Sequence, residues 1–273
     1  VGRGPYRLRI VNGSNSRIYD LAWSDGSPLT VLGTDGGLLD APRQRPHVLL
    51  APGQRLDVWA SFGNHLSNDV WLESREFSGL GPAMGMMGRG MMRGPTARVP
   101  NGAPLRIQRF VTTRQGTLGA PPNRLVSAPG PNLSRVVNAG NPRAFSTSMR
   151  MMRWFLNGRS FQMRDVAANE RVRLGTVEEW EFSNPGGHMA MAHPIHLHGS
   201  QFRIIDRQHG PGLRTLREGL FDEGWQDTFL LLPGDRVRLR VEFDRYPGLF
   251  LYHCHNLEHE DMGMMRNYLV ETS

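Results

Sequence analysis

The only cysteine of the chain, Cys254, lies between two histidines in the segment HCHNLEHEDMGMM, residues 253–265. One thiolate, two imidazoles and a weak axial thioether form the blue-copper arrangement. His259 and Met264 follow Cys254 closely enough in the chain to curl back towards it. The segment therefore predicts a mononuclear copper site that takes its second histidine from elsewhere in the sequence.

That histidine is offered by a second motif, HPIHLHG, at residues 193–199. Successive side chains of a β-strand point to opposite faces. On two such strands, the histidines that flank Cys254 point away from it, and His196 and His198 share a face. The motifs therefore predict two ligand sets: His193, Cys254, His259 and Met264 for one copper, and His196, His198, His253 and His255 for a cluster of further coppers.

Simpler interpretations account less well for this pattern. A lone cysteine or histidine is usually a core residue or a solvated surface group. However, six of the ten histidines fall in these two short motifs. Structural zinc favours paired cysteines or a Cys/His knuckle spacing, and the sequence has neither. Copper is the metal that the pattern favours.

Composition excludes several other classes of protein. The 273-residue chain has 32 basic residues, all of them arginine, against 25 acidic ones. The arginines are dispersed, whereas a nucleic-acid surface gathers them on one face. One cysteine cannot form an internal disulfide, and no apolar run of about 18 residues predicts a membrane span. The chain opens on a strand-like segment without a signal peptide, so we expect that its natural beginning is missing.

An internal repeat indicates the elements that position the two motifs. APGQRLDVWASF at 51–62 and LPGDRVRLRVEF at 232–243 share Pro, Gly, Arg and Phe at identical offsets. Each predicts a turn and then a strand with alternating apolar residues. Matching strands, RLRIVNGSN and EWEFSNPGG, precede them. Two copies of one β-domain, each a Greek-key sandwich or barrel, explain the repeat.

The two copper motifs resemble the third and fourth copper-binding motifs of the multicopper oxidases, the family of laccase, bilirubin oxidase and cuprous oxidase. RIVNGSNSRIYDL, GTDGGLL and LLAPGQRLDVWASF likewise resemble the middle domain of that family. The resemblance implies an all-β chain with two cupredoxin-like domains. We expect a copper-free middle domain at 1–112, a Pro- and Gly-rich surface linker at 113–148, and a copper-binding C-terminal domain at 149–273.

The resemblance also implies a role for each ligand. His193, Cys254, His259 and Met264 would hold type 1 copper. The type 2 and type 3 coppers would form a trinuclear cluster with dioxygen as its substrate. Of the cluster ligands present here, the resemblance assigns His196 to type 2 copper and His198, His253 and His255 to the type 3 pair.

The chain departs from the family pattern in one respect. Half of the eight cluster histidines of the family come from two His-x-His motifs in an N-terminal domain, and this sequence has no such motif. We therefore expect that domain to be absent, by truncation, cleavage or splitting across chains. The remaining histidines are isolated: His47, His65 and His209 are expected on solvated loops, and His188 lies just before the HPIHLHG motif.

In the mechanism that the family implies, a reductant gives single electrons to type 1 copper, with His259 as the edge of entry. The peptide links from Cys254 to its neighbouring histidines then give a short path to the cluster. Reduction of dioxygen consumes protons, and Glu260 is the expected donor. Glu260 could instead only orient a ligand. Asp261 could lie by the substrate entrance.

The reductant is expected to be a phenol or a metal ion, and a Met-rich segment favours Cu(I). GPAMGMMGRGMMRGP, residues 81–95, has too much Gly and Pro for a helix and lacks strand alternation. Thioethers select Cu(I). The predicted accessory Cu(I) ligands are Met84, Met86, Met87, Met91, Met92, Met189, Met191 and Asp261, although a flexible loop with incidental methionines is the alternative.

Two other functions compete with the oxidase. A one-copper electron carrier or copper-binding module would use the first ligand set without the cluster. A copper nitrite reductase is a weaker alternative, because its cysteine is not flanked by two cluster histidines in this manner. Family resemblance places the protein in the periplasm or outside the cell.

Overall fold

The computed structural model of the chain describes residues 1–63, 69–80, 99–112, 117, 119–126, 128–151, 153–186 and 190–272. These residues form strands joined by turns, with two short α-helices, α1 (Arg214–Glu218) and α2 (Leu257–Asp261). No helix of the described part is long and apolar enough to cross a bilayer. The predicted all-β fold is confirmed.

The chain divides into two compact units. The first consists of Val1–Ala128 with Leu213–Gly224, and the second of Pro129–Gly212 with Trp225–Ser273. The strands of the first unit are β1 (Pro5–Val11), β2 (Tyr19–Trp23), β3 (Leu29–Thr34), β4 (Gly37–Arg45), β5 (Val48–Leu50), β6 (Arg55–Ser61), β7 (Asp69–Ser74) and β8 (Leu105–Val111). They form two four-stranded sheets, ordered β1-β6-β3-β4 and β5-β2-β7-β8.

The second unit contains two five-stranded sheets, ordered β10-β9-β12-β16-β14 and β11-β18-β17-β13-β15. Its strands are β9 (Arg143–Arg150), β10 (Arg153–Leu156), β11 (Arg171–Arg173), β12 (Thr176–Ser183), β13 (His193–Leu197), β14 (Phe202–Gln208), β15 (Thr228–Leu231), β16 (Arg236–Phe243), β17 (Gly248–Cys254) and β18 (Met265–Glu271). The inward residues of both sheets form one apolar core, which includes Trp180, Tyr252 and Cys254. Burying a large apolar side chain stabilises the unit by about 1.5–3 kcal/mol.

The repeat found in the sequence corresponds to the same feature in each unit, an antiparallel pair of strands whose second strand follows a glycine-containing turn. β1 pairs antiparallel with β6, and β12 pairs antiparallel with β16. The turn before β6 contains Gly53 at φ 83°, and the turn before β16 contains Gly234 at φ 81°, a region that favours glycine. Gly53 N–H donates to Asn12 O, and Gly234 N–H donates to Asn184 O, at 3.0 and 2.9 Å. In each unit, the glycine therefore allows the turn to form a hydrogen bond to the residue just after the first strand of the pair, β1 or β12.

The units do not follow the domain boundaries expected from the sequence. The stretch predicted as a linker, 113–148, contributes to both units, and its last residues begin β9. Phe145 and Thr147 of β9 are buried because they alternate towards the core. Leu213–Gly224 groups with the first unit, where Phe221 packs in the core. Local composition predicted neither arrangement, since both depend on long-range packing.

A buried ion pair connects β17 and β18 to the segment before β11. Arg266 donates through Nε and Nη2 to the two oxygens of Glu170, at 2.8 and 2.5 Å, and both side chains are fully buried. Tyr252 on β17 donates its hydroxyl to the same carboxylate at 2.8 Å. Arg266 also donates to Asp165 at 2.8 Å. The strand that carries Cys254 is thus held by a network whose polar groups are paired.

We expect Glu170→Ala to lower the free energy of unfolding by about 3–5 kcal/mol, because it leaves the Arg266 charge buried without its main partner. Arg171→Ala is the matched control, since its pair with Glu271 has side chains that are 47% and 44% exposed. An exposed pair contributes about 0–1 kcal/mol. Urea unfolding of both variants makes the comparison, and equal losses would contradict this role of the network.

Candidate metal centre

The two histidine motifs lie on neighbouring antiparallel strands, β13 and β17. Ile195 pairs with Cys254, and His196 pairs with His253. Directly paired residues share a face of the sheet, and successive residues of a strand face opposite sides, so these two pairs lie on opposite faces. Ile195 and Cys254 enter the core of the second unit. His196 and His253 therefore lie on the opposite face, as the sequence predicts.

Cys254 meets two imidazoles on the core side of the sheet. Its Sγ lies 3.6 Å from His193 Nδ1 and 3.5 Å from His259 Nδ1. The donor atoms of these three residues lie within 4.8 Å of one another, and all three side chains are buried. We call His193, Cys254 and His259 the thiolate site. Its donors are the three strong ligands of the blue-copper arrangement.

The chain after β17 returns to the thiolate site through α2. His259 N–H donates to Asn256 O at 3.0 Å, and Met264 N–H donates to His259 O at 2.9 Å. Cys254 N–H in turn donates to Met264 O at 3.0 Å. Gly263, at φ 90°, allows the turn that brings Met264 back. Met264 is fully buried, and its side chain belongs to the same core cluster as Cys254.

Burial controls the protonation of the thiolate site. It raises the pKa of the Cys254 thiol, and it lowers the pKa of His259 to about 4. Burial, followed by the charge of His259, also lowers the pKa of His193 well below its ordinary range. The imidazoles are therefore neutral and can donate lone pairs, whereas the thiol needs a cation to lose its proton. One soft sulfur and two neutral imidazoles fit copper.

A second group of imidazoles lies on the other face of the sheet. The imidazole cluster is His196, His198 and His253, whose donor atoms lie within 4.8 Å of one another. His198 Nε2 and His253 Nε2 are 3.0 Å apart. The His255 ring centroid is 5.7 Å from that of His196 and 5.5 Å from that of His253. The structure thus brings all four predicted histidines together, with His255 at the margin.

Hydrogen-bond partners orient two rings of the imidazole cluster. His196 Nδ1 lies 2.9 Å from both Asp227 O and Thr228 Oγ1. His253 Nδ1 lies 3.1 Å from Cys254 O and 3.2 Å from Glu260 Oε2. A proton on each Nδ1 leaves Nε2 as the ligand atom, the usual arrangement for metal-binding histidines. Burial lowers the pKa of His253 to about 3, so this ring too is neutral.

The other predicted residues fall into three groups. Met191 is half-buried and packs against the core of the second unit, while Asp261 is exposed at the end of α2. His209 is exposed, with Nδ1 3.4 Å from an oxygen of Asp235. The predictions for Met84, Met86, Met87, Met91, Met92, Met189, His65 and His188 lie outside the described residues.

The prediction for His47 is wrong. The sequence placed it on a solvated loop, but its side chain is 4% exposed and its Nδ1 lies 2.6 Å from Asp20 Oδ1. Arg75 also contacts the carboxylate, with Nε 3.5 Å from Oδ2. The partner Asp20 is distant in sequence, so the local polar context of His47 gave no sign of burial.

Sequence reasoning also missed the residues around the ligands. Asp227 and Thr228 orient His196, and Trp154 packs on His259 with ring centroids 4.2 Å apart. A weak signal for Trp154 existed, because Trp154 and Leu156 alternate ahead of an Asn-Gly turn. Which face of the strand meets the metal ligands depends on the sheet order, which the sequence does not reveal.

Comparison with known proteins agrees with this geometry. A family profile described as multicopper oxidase matches residues 128–273. Over 96% of its own length, the chain is 30% identical to a laccase of Bacillus stratosphericus. Over 95% of its own length, it is 29% identical to a bilirubin oxidase of Albifimbria verrucaria. The crystal structure of the multicopper oxidase McoA from Aquifex aeolicus covers the whole chain at 29% identity, with a TM-score of 0.76.

The similarity covers only part of each relative. The chain spans 50% of the Bacillus laccase, 43% of the bilirubin oxidase and 56% of the McoA chain. The solved structure supports the assignment of cupredoxin-like sandwiches to this fold. The activities of the relatives remain those of proteins about twice as long.

We expect Cys254→Ser to abolish the intense blue absorption of the copper-loaded chain, because that band needs a copper–thiolate bond. Met264→Leu is the matched control from the same core. It should keep the band and raise the reduction potential, since removal of a weak axial donor favours Cu(I). Visible absorption and redox titration measure both. A blue Cys254→Ser protein, or loss of copper in Met264→Leu, would show that the roles are assigned wrongly.

Proposed function

Because this chain belongs to the multicopper oxidase family, which uses copper, we propose that it carries the electron-accepting site and half of the dioxygen site of a laccase-type oxidase. The proposed reaction takes four single electrons from a reductant and reduces dioxygen, with four protons, to two water molecules. One observation carries the proposal. Cys254 faces the thiolate site, while its chain neighbour His253 faces the imidazole cluster.

In this proposal, each ligand set holds the copper that the family pattern assigns to it. Type 1 copper takes His193, Cys254, His259 and Met264. Copper supplies one-electron chemistry by cycling between Cu(I) and Cu(II) when it is bound. The proposed cluster ligands are His196 for type 2 copper and His198, His253 and His255 for the type 3 pair.

The protein's own contribution is to fix these donors before metal arrives. β13 and β17 are paired in one sheet, so the distance between Cys254 and the imidazole cluster is set by backbone geometry. Peptide bonds link Cys254 to its neighbouring histidines, which gives electrons a short covalent path between the two sites. The core around Cys254 excludes water from the sulfur. Rigid placement of ligands is what an electron-transfer site needs.

Glu260 is the residue that we propose to deliver protons for dioxygen reduction. Its Oε2 lies 3.2 Å from His253 Nδ1, on the side of the imidazole cluster. Burial raises the pKa of Glu260, which favours the proton-carrying form. The same contact would also let Glu260 orient His253 without moving a proton. The two roles differ because only a donor requires a titratable group at this position.

The four remaining cluster ligands are proposed to come from an N-terminal cupredoxin domain with two His-x-His motifs. The relatives' greater length supports this proposal. We also retain the periplasm or the cell exterior as the proposed location, on family resemblance alone. A one-copper electron carrier is the rival function, since the thiolate site lies wholly within the second unit.

We expect the copper-loaded 273-residue chain alone to reduce dioxygen far more slowly than a complete oxidase, because it has four of the eight cluster imidazoles. An oxygen electrode with a phenolic reductant measures this. Addition of the N-terminal domain should restore steady consumption. Oxidase-level turnover by the chain alone would contradict the shared cluster, and failure of the completed protein to consume oxygen would favour the electron carrier.

Cu(I) is the reductant that we propose for the complete enzyme. Met191 supports this proposal, because it lies two residues before His193 and packs against the core that contains the thiolate site. Met189 and Asp261 are the other proposed contacts near the site, with a further contribution from the Met-rich segment. Thioethers would select Cu(I) over other cations.

Deletion of residues 84–92 from the complete enzyme is expected to lower the rate of Cu(I) oxidation and leave phenol oxidation unchanged. The matched control replaces the five methionines of that segment with leucine, which retains its length and removes the sulfur. It should lose Cu(I) oxidation to the same extent. Equal changes for both substrates, or no change for either, would exclude a Cu(I) role of the segment.

A further inference from the structure

Trp154 packs directly on the ligand imidazoles of the thiolate site. Its ring centroid lies 4.2 Å from that of His259, with the planes tilted by 35°. It also meets His193 edge-on, at 5.1 Å and 73°. Trp154 is 5% exposed and belongs to the same core cluster as Cys254 and Met264. One indole therefore contacts both histidines of the site without supplying a ligand atom itself.

The backbone holds this indole at a fixed place. Trp154 lies on β10, where it pairs with Met149 of β9. Asn157 and Gly158 follow, at φ 52° and 68°, as the tight Asn-Gly turn that favours a hairpin. Asn157 N–H donates to Ser146 O at 2.8 Å and ties this turn to β9. A short strand that is anchored in this way leaves the tryptophan little freedom to move.

His259 differs from the cluster histidines in how its ring is oriented. His196 and His253 each place Nδ1 beside oxygen atoms that can fix the ring. In His259, Nδ1 faces Cys254 Sγ, and the buried Nε2 has no hydrogen-bond partner among the described residues. Metal-binding histidines usually gain their orientation from a hydrogen bond at the second nitrogen. Within the described part of the chain, His259 lacks that hydrogen bond, and its ring instead packs against the indole of Trp154.

We propose that Trp154 is a positioning residue of the thiolate site, whose indole fixes the plane of His259 and thereby sets copper affinity and reduction potential. This inference rests on the proposed copper site. Aromatic pairs in offset or tilted contact are stabilised beyond simple area burial. A leucine side chain is smaller than the indole and presents no flat face, so the imidazole is free to turn away from the direction of Cys254 Sγ.

The test compares Trp154→Leu with Trp180→Leu. Trp180 is also fully buried in this core, and its ring contacts are Phe145, Phe182, Phe243, Tyr252 and Tyr268, not a ligand. Both variants should be less stable in urea. Only Trp154→Leu should weaken Cu(II) binding, by about 10–100-fold as for lost outer contacts of metal ligands, and shift the blue band and the reduction potential. Trp154→Phe, which keeps an aromatic face, should recover most of the affinity.

Chelator competition gives the copper affinity, and spectroelectrochemistry gives the band and the potential. A Trp154→Leu protein with the affinity, band and potential of the wild type would overturn the inference, as would equal copper effects in Trp180→Leu. If Trp154→Leu does not fold, Trp154→Met provides the same comparison with an unbranched side chain. A wild-type chain that binds no copper at Cys254 would instead overturn the proposed site, and the inference with it.

Discussion

The side-chain alternation of β17 is the constraint on which the two sites depend. Because successive residues of a strand face opposite sides of the sheet, Cys254 enters the core and His253 emerges on the other face. The sulfur therefore meets His193 and His259, while His253 meets His196 and His198. A shift of one residue in the pairing with β13 would exchange the faces and separate every ligand from its partners. The ion pair of Arg266 and Glu170, with the Tyr252 hydroxyl, helps to keep that register.

The chemical environments of the two sites differ for the same reason. On the core side, Cys254 and both imidazoles are buried, so their neutral forms are favoured and a cation is needed to draw out the thiolate. On the other face, the imidazole cluster is partly exposed, and polar groups from β15 and α2 orient its rings. One face suits a dry electron-transfer site, and the other suits chemistry that must admit dioxygen and protons. Copper and the family are established, whereas the oxidase reaction of this chain is our proposal.

Much of the site could be predicted from the sequence because its ligands lie in two short motifs with strand alternation. The separation of Cys254 from His253 on β17, and of His193 from His196 on β13, follows from that period alone. The repeated Pro-Gly turns likewise predicted a β-strand after each, as seen for β6 and β16. Contacts that depend on pairing between distant strands could not be predicted, including Trp154 on His259 and the burial of His47 against Asp20. The grouping of Leu213–Gly224 with the first unit could not be predicted for the same reason.

The two proposed copper sites require that β17 present ligands to metal on both of its faces. Anomalous diffraction at the copper edge, from crystals of the copper-loaded chain together with the proposed N-terminal cupredoxin domain, tests this directly. We expect one copper peak bounded by His193 Nδ1, Cys254 Sγ and His259 Nδ1, and further peaks on the opposite face beside His196, His198, His253 and His255. Copper on only one face, or a cysteine sulfur without a copper neighbour, would contradict it.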